Sequence, residues 1–391
     1  MSERLSAIGE VISPVKTWNP LSESQDGTFR YIDLSSVDNE TKEIRAIQEV
    51  PVKDAPSRAR QLVESGDILV STVRPNLNGV AKLDRRHNGA TASTGFCVLR
   101  PNPQVVCRDY LFQWVKSPGF VADMMRKATG ASYPAVSDRI IAESFIPLLP
   151  LDEQRRIAAI LDQADDLRRK RRQVLDRLQE LKSISFETMF LGSQASGFSW
   201  GRIEDLTSST QYGTSSKAGD SGDFPILRMG NLSYDGEIDT ADLKYLDLSP
   251  NDLAKHTVAP SDILFNRTNS PDLVGKTAVF RETDGVYAFA GYLIRLRVND
   301  RADPEFVSGY LNSKRGKAVL RGMCKAIIGM ANINAQELRR IPIPLPPPDL
   351  QREFAARVVE INKLKAHHRV HLAKLDALFA SLQHRAFRGE L

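Results

Sequence analysis

Cysteine is scarce in this sequence: Cys97, Cys107 and Cys324 are its only three, widely spaced along 391 residues. That excludes a disulfide framework and a cysteine-based zinc site, and it fits a reducing cytosol. No apolar run approaches the roughly 20 residues of a membrane span, and the opening Met-Ser-Glu-Arg-Leu-Ser has no apolar signal region. No membrane is therefore expected. Catalytic signatures are missing too. There is no Gly-x-Gly-x-x-Gly, no Gly-x-Ser-x-Gly elbow, and no Asn/Asp-Pro-Pro-aromatic motif of amino-methyltransferases; Pro346-Pro347-Pro348-Asp349 is not a disguised form. Gly275-Lys276-Thr277 looks like the end of a phosphate loop, but Ser270 stands where that loop needs its first glycine. The chain is expected to catalyse nothing by itself and to bind no cofactor.

Metal ligation is not expected either. His367, His368, His371 and His384 lie in the last segment, and His367 and His371 are spaced to share a helix face. No third ligand type recurs nearby, so a helix-face or interface role is expected. Asp152-Glu153 and Asp165-Asp166 fit a helix start and a solvated face better than acid–base work. The basic run Arg168–Arg172 is balanced by acids on the same segment and reads as a solvated or partner-facing helix surface. The net charge of +5 permits a polyanionic partner without requiring one.

What is present is a duplication. Ser65-Gly66-Asp67-Ile68-Leu69 is echoed by Pro260-Ser261-Asp262-Ile263-Leu264, 195 residues on. Leu149-Pro150-Leu151-Asp152-Glu153-Gln154-Arg155 is echoed by Leu345-Pro346, then Pro348-Asp349-Leu350-Gln351-Arg352, at an offset of 197. Met189-Phe190-Leu191-Gly192 and Ala386-Phe387-Arg388-Gly389 close the two copies. The length demands two domains or more, and the repeat makes them alike.

Strands are predicted at 68–73, 96–99, 225–228, 262–265 and 292–296, with a short helix across 110–127. Each proline of Ile146-Pro147-Leu148-Leu149-Pro150 and of Ile341-Pro342-Ile343-Pro344 favours extended backbone before it. Each such entry leads to a long amphipathic helix of about 39 residues, roughly 58 Å. The first carries seam rows Ile157, Ala164, Leu178 and Ile160, Leu167, Val174, Leu181. The second carries Phe354, Ile361, Leu375, Leu382 and Val358, Leu372, Phe379. Such stripes are most simply buried against each other, as an antiparallel pair holding a globular part at either end. Arg171 and its counterpart His368 interrupt the seams; such polar residues either fix register or snorkel to the rim.

Matched loops follow the matched strands. The first copy offers Arg74, Asn76, Asn78 and Lys82, and the second Asn266, Arg267, Thr268, Asn269 and Lys276. Ser132 and Tyr133 precede one proline-rich entry, Asn332 the other, and Arg228 and Asn231 flank a strand end. Arg pairs with guanine, Asn with adenine and Lys with phosphate, whereas Asn and Ser also simply stabilise turns. Matched occurrence in both copies favours a shared, DNA-reading role.

The strand–loop run Asp262 to Lys276 and the entry Pro147 to Ile157 resemble the specificity subunit of type I restriction-modification systems, over essentially the whole chain. The resemblance implies an α+β fold: two similar mixed α/β target-recognition domains, at 1–146 and 193–341. Two long conserved helices, in regions 147–192 and 342–391, would form an antiparallel coiled coil, giving an internal pseudo-twofold repeat. It implies a cytoplasmic prokaryotic protein on double-stranded DNA with a bipartite target. Two methylation subunits would carry S-adenosylmethionine and methylate adenine at N6, and it leaves room for two restriction–translocase subunits using ATP and magnesium. The second entry departs from the first, with Leu350 in place of Glu153. The other reading is a protein-assembly scaffold whose DNA-reading loops have degenerated.

Overall fold

A computed structural model describes residues 4–23, 26–192, 197–270, 273–282, 284–323 and 331–391. The chain forms two compact units, one of residues 1–172 with 370–391, the other of residues 173–369. Among the described residues no helix is long and apolar enough to cross a membrane.

In the first unit Arg4–Ala7 pairs antiparallel with Phe145–Leu148. An antiparallel sheet follows the order Ile12–Ser13, Phe96–Pro101, Ile68–Ser71, Val80–Lys82. A mixed sheet follows the order Gln48–Pro51, Thr28–Ile32, Thr91–Ser93, Ala59–Leu62, its one parallel pair being Thr28–Ile32 with Thr91–Ser93. Alternation along Ile68-Leu69-Val70 serves two cores. Leu69 joins Ile32, Ala92 and Phe96 between the sheets. Ile68 and Val70 join Tyr110, Leu111, Ile157 and Leu161 against the helices. A strand covered on both faces reads as a continuous apolar run.

The second unit repeats the plan. Ser199–Arg202 pairs with Pro342–Leu345. The antiparallel sheet runs Thr207–Tyr212, Leu293–Val298, Ile263–Asn266, Thr277–Val279. The mixed one runs Lys244–Leu246, Phe224–Leu227, Tyr287–Phe289, Thr257–Val258. Thr268–Asn269 pairs in addition with Ala331–Asn332.

The helix expected across 110–127 is two helices, Arg108–Val115 and Pro118–Lys127. Ser117 starts a new helix, its hydroxyl accepting from the Phe120 N–H, and Pro118 takes the first turn, where its missing N–H costs nothing.

The long helices are Leu151–Phe190 and Pro348–Ala386, and they pack antiparallel. In the first unit Arg156 donates to the Leu391 carbonyl and Arg168 to Asp376 at 2.6 Å. In the second unit Lys365 donates to Gln179 at 2.7 Å, and Phe354 packs edge-on against Phe186. On the second helix the expected rows face inward, with Phe354, Val358, Ile361 and Phe379 buried. On the first helix Ile157 and Ala164 are buried, Leu178 half-buried. The other inward row there is Gln154, Leu161, Arg168, Leu175 and Lys182. It lies one residue on from Ile160, Leu167, Val174 and Leu181, of which Leu167 and Leu181 are each 48% exposed. Two of the polar residues in this row have bonded partners, and the third lies near carboxylates. Gln154 bonds to backbone, and Arg168 meets Asp165, Asp376 and the Phe379 ring. Lys182 lies among Glu305 and Glu237, although burial and neighbouring cations hold its pKa below the ordinary lysine value.

Candidate nucleic-acid interface

Each unit fixes its loop frame with a buried aspartate. Asp67, at the start of Ile68–Ser71, accepts from the Glu64 N–H at 2.8 Å and from the Arg100 Nε and Nη2, both at 2.8 Å. Asp262 accepts from the Ala259 N–H at 2.9 Å and from the Arg297 Nε and Nη2 at 2.7 and 3.1 Å. The repeated aspartate is therefore a turn cap paired with arginine on the neighbouring strand. The following loops are tied alike. The Val136 N–H donates to the Thr72 carbonyl and the Ile333 N–H to the Arg267 carbonyl, both at 2.9 Å.

On the first frame Arg74 is exposed, with φ of 51°, and its guanidinium lies 4.4 Å from the centroid of the Tyr133 ring. Tyr133 is 66% exposed and stands, with exposed Ser132, in a turn that needs Gly130. Gly130 has φ of 97°, and a Cβ there would come within 2.7 Å of the Tyr133 carbonyl oxygen. Asn76 is exposed in the short turn Pro75–Leu77. Asn78 and Lys82 are engaged internally. Asn78 donates to the Lys116 carbonyl and its own carbonyl accepts from Lys42. Lys82 donates to Asp109 at 2.8 Å, lies 3.7 Å from Asp162, and covers the Phe112 ring.

On the second frame the Arg267 guanidinium lies 4.9 Å from the Tyr212 centroid. Thr268 donates to the side chain of Asn332, which is exposed. Asn269 accepts from the Ser270 N–H, and Asn266 is fully buried at the strand end. Lys276 is half-buried, and its charge, with that of Arg321, adds to burial in lowering Lys317 to about 8. In the first unit burial, then Lys116, lowers Lys42 to about 8, although Asp165 opposes them. Arg228 reaches Asp242, while buried Asn231 accepts from the Arg228 N–H and donates to the carbonyls of Asp239 and Asp242. Residues 328–330, beside Asn332, and Cys324 lie outside the described residues. Among those described, no group of three or more His, Cys, Asp or Glu side chains could hold a metal ion.

Three contributors carry no sequence signal of their own. Tyr212 ends an otherwise polar strand, and Gln154 and Gln351 sit inside the helix-entry repeat with nothing to separate them from a solvated glutamine. A lone aromatic closing a polar run, and a glutamine recurring at the 197-residue offset, are the signals that could have found them.

Residues 6–177 match the type I restriction modification DNA specificity domain. The chain is 25% identical over 354 residues to the EcoKI specificity subunit of Escherichia coli K12, covering 85% of this chain and 76% of that one. Among solved structures, it resembles a chain from a study of complex assembly and conformational transition in the type I restriction-modification system. The identity is 24%, the TM-score 0.59, with 99% of this chain and 98% of that chain covered. The type I system S subunit of M. genitalium has 14% identity and a TM-score of 0.57, with 99% and 96% covered. These two structures show the same fold. The chain thus carries, in residues 6–177, the DNA specificity domain of type I restriction-modification systems, and it is similar to their specificity subunits over 85% of its length.

Proposed function

We propose that this specificity subunit, the non-catalytic member of a DNA-binding type I complex, reads a bipartite double-stranded target, one half-site with each unit. The observation that carries this reading is the shared loop frame with unlike side chains. Thr72 and Arg267 make the same backbone bond, yet one frame displays Arg74, Asn76, Ser132 and Tyr133, the other Arg267, Thr268, Asn269 and Asn332. A common scaffold with different donors suits two different half-sites. Lys276 and Arg228 add positive charge for phosphate. Asn78, Lys82, Asn231 and Asn266 support these loops from within.

On this reading the recognition domains are 1–146 and 193–341, and the helical regions 147–192 and 342–391 set the gap between half-sites. The same helices dock two methylation subunits. Exposed Leu167, Val370 and Leu378 in the first unit, and Leu181, Ile184, Val359 and Leu364 in the second, leave apolar surface for helical partners. Those subunits bring S-adenosylmethionine and flip out adenines for N6 methylation, since only an unstacked base can be reached. The assembly leaves room for restriction subunits using ATP and magnesium.

The test is selection of duplexes from a randomised library by the complex of this chain with its methylation subunits. Enrichment of one bipartite motif with a fixed gap supports the reading. Assembly without sequence preference would leave a protein scaffold with degenerate loops.

A further inference from the structure

We infer that Tyr212 is a positioning residue for the second half-site, holding the Arg267 guanidinium in the orientation that reads one guanine. The inference rests on the proposed reading of Arg267 as a base contact. Tyr212 ends the strand Thr207–Tyr212, paired there with Ile294. Its hydroxyl accepts from the Ala335 N–H at 2.8 Å, the first residue of a helix that Asn334 caps. The ring is thus held at the backbone and at its tip. Arg267 is held equally firmly: its N–H donates to the Tyr292 carbonyl at 3.0 Å and its carbonyl accepts from Ile333. Between these anchors the guanidinium lies over the ring, and its Nε is buried with no hydrogen-bond partner among the described residues. With Nε enclosed, the two in-plane Nη groups are the donors that a cation stacked on an aromatic face keeps for another acceptor. The O6 and N7 edge of guanine offers the two acceptors that such a fork fits.

A packing role does not account for Tyr212. It is 39% exposed and belongs to none of the apolar cores. The first unit builds the same arrangement from other segments, with Arg74 two residues beyond the position matching Arg267 and Tyr133 from a loop instead of a strand. A pairing assembled twice from non-equivalent positions is not a by-product of the shared frame. Fixing the guanidinium beforehand removes rotamers that would otherwise be lost on binding, so the ring sharpens discrimination at one base pair.

The experiment uses the full chain with its methylation subunits and target duplexes carrying each single base-pair substitution in turn. Tyr212→Leu, Arg267→Ala, their double variant and Tyr212→Phe are compared by equilibrium binding. Arg267→Ala is expected to lose roughly tenfold or more of the discrimination at one base pair. Tyr212→Leu should lose discrimination at that same pair and no other, and the double variant should be no worse than Arg267→Ala. Even weakening across all duplexes, or losses that multiply in the double variant, would overturn the inference. If Tyr212→Leu does not fold, Tyr212→Phe decides. Without the tie to Ala335, it should lose several-fold at that base pair alone; an even loss or none overturns the inference. Should Arg267→Ala alter no base preference, the reading of Arg267 fails first. Should it alter one that Tyr212 variants leave intact, only the role of Tyr212 fails.

Discussion

Gln154 and Gln351, 197 residues apart, make the same three hydrogen bonds. Gln154 accepts from the Cys107 N–H and donates to the carbonyls of Leu149 and Val105. Gln351 accepts from the Asp303 N–H and donates to the carbonyls of Pro346 and Arg301. Each glutamine is buried in the first turn of a long helix and ties that turn to the strand entering it and to the chain leading into a neighbouring helix.

Removing either clamp strands buried backbone groups. Gln351→Ala is expected to destabilise its unit by about 1–3 kcal/mol, the cost of leaving buried partners unsatisfied, and Gln154→Ala by a similar amount in the other. Denaturant unfolding of the two variants measures both. A loss confined to one of them would contradict the equivalence.

The aspartate–arginine pairs are alike in geometry but not in backup. The Asp67 side chain is 1% exposed and that of Arg100 17%, whereas Asp262 also has Arg295 at 3.8 Å. Arg100→Ala leaves a buried carboxylate unpaired, which costs about 3–5 kcal/mol. Arg297→Ala should cost clearly less, because Arg295 remains and the Arg297 side chain is 43% exposed. Thermal unfolding should rank the variants in that order.

Lys317 gives a pH signature. Burial, with Arg321 and Lys276 beside it, lowers its pKa to about 8 from an ordinary 10.5. Below pH 8 the lysine is charged in both states, and the cost of burying that charge is fully present. Between pH 8 and 10.5 the unfolded chain holds the extra proton, so this cost is relieved and stability rises with pH. Lys317→Met should therefore narrow its stability advantage over the native sequence, or widen its deficit, across that window. A difference independent of pH would refute the assignment.

The long helices give a functional prediction. Removing one turn, four residues, from both shortens the pair by about 6 Å, or roughly two base pairs at 3.4 Å each. The preferred gap between half-sites should shrink accordingly in a library selection, and an unchanged gap would sink the ruler.

Much of this architecture is legible in the sequence, because burial on both faces makes Ile68-Leu69-Val70 and Ile263-Leu264-Phe265 continuous apolar runs and duplication prints them twice. The long helices are legible for the same reason, with proline-rich entries marking their starts. One inward row of the first helix is not, because Gln154, Arg168 and Lys182 occupy it while Leu167 and Leu181 face outward. Hydrophobicity alone favours the leucines; only tertiary partners reveal the polar row. The loops show the same limit. Asn78 and Lys82 have the chemistry of DNA contacts yet bond within the fold, and Tyr212 gains its relation to Arg267 through residues 55 positions apart.

The most direct test of sequence reading is base-resolution mapping of N6-methyladenine in host DNA, with and without this gene. Loss of one bipartite motif, two short half-sites around a fixed gap, is the predicted result. An identical methylation pattern in the two strains, with the methylation subunits expressed in both, would contradict the account.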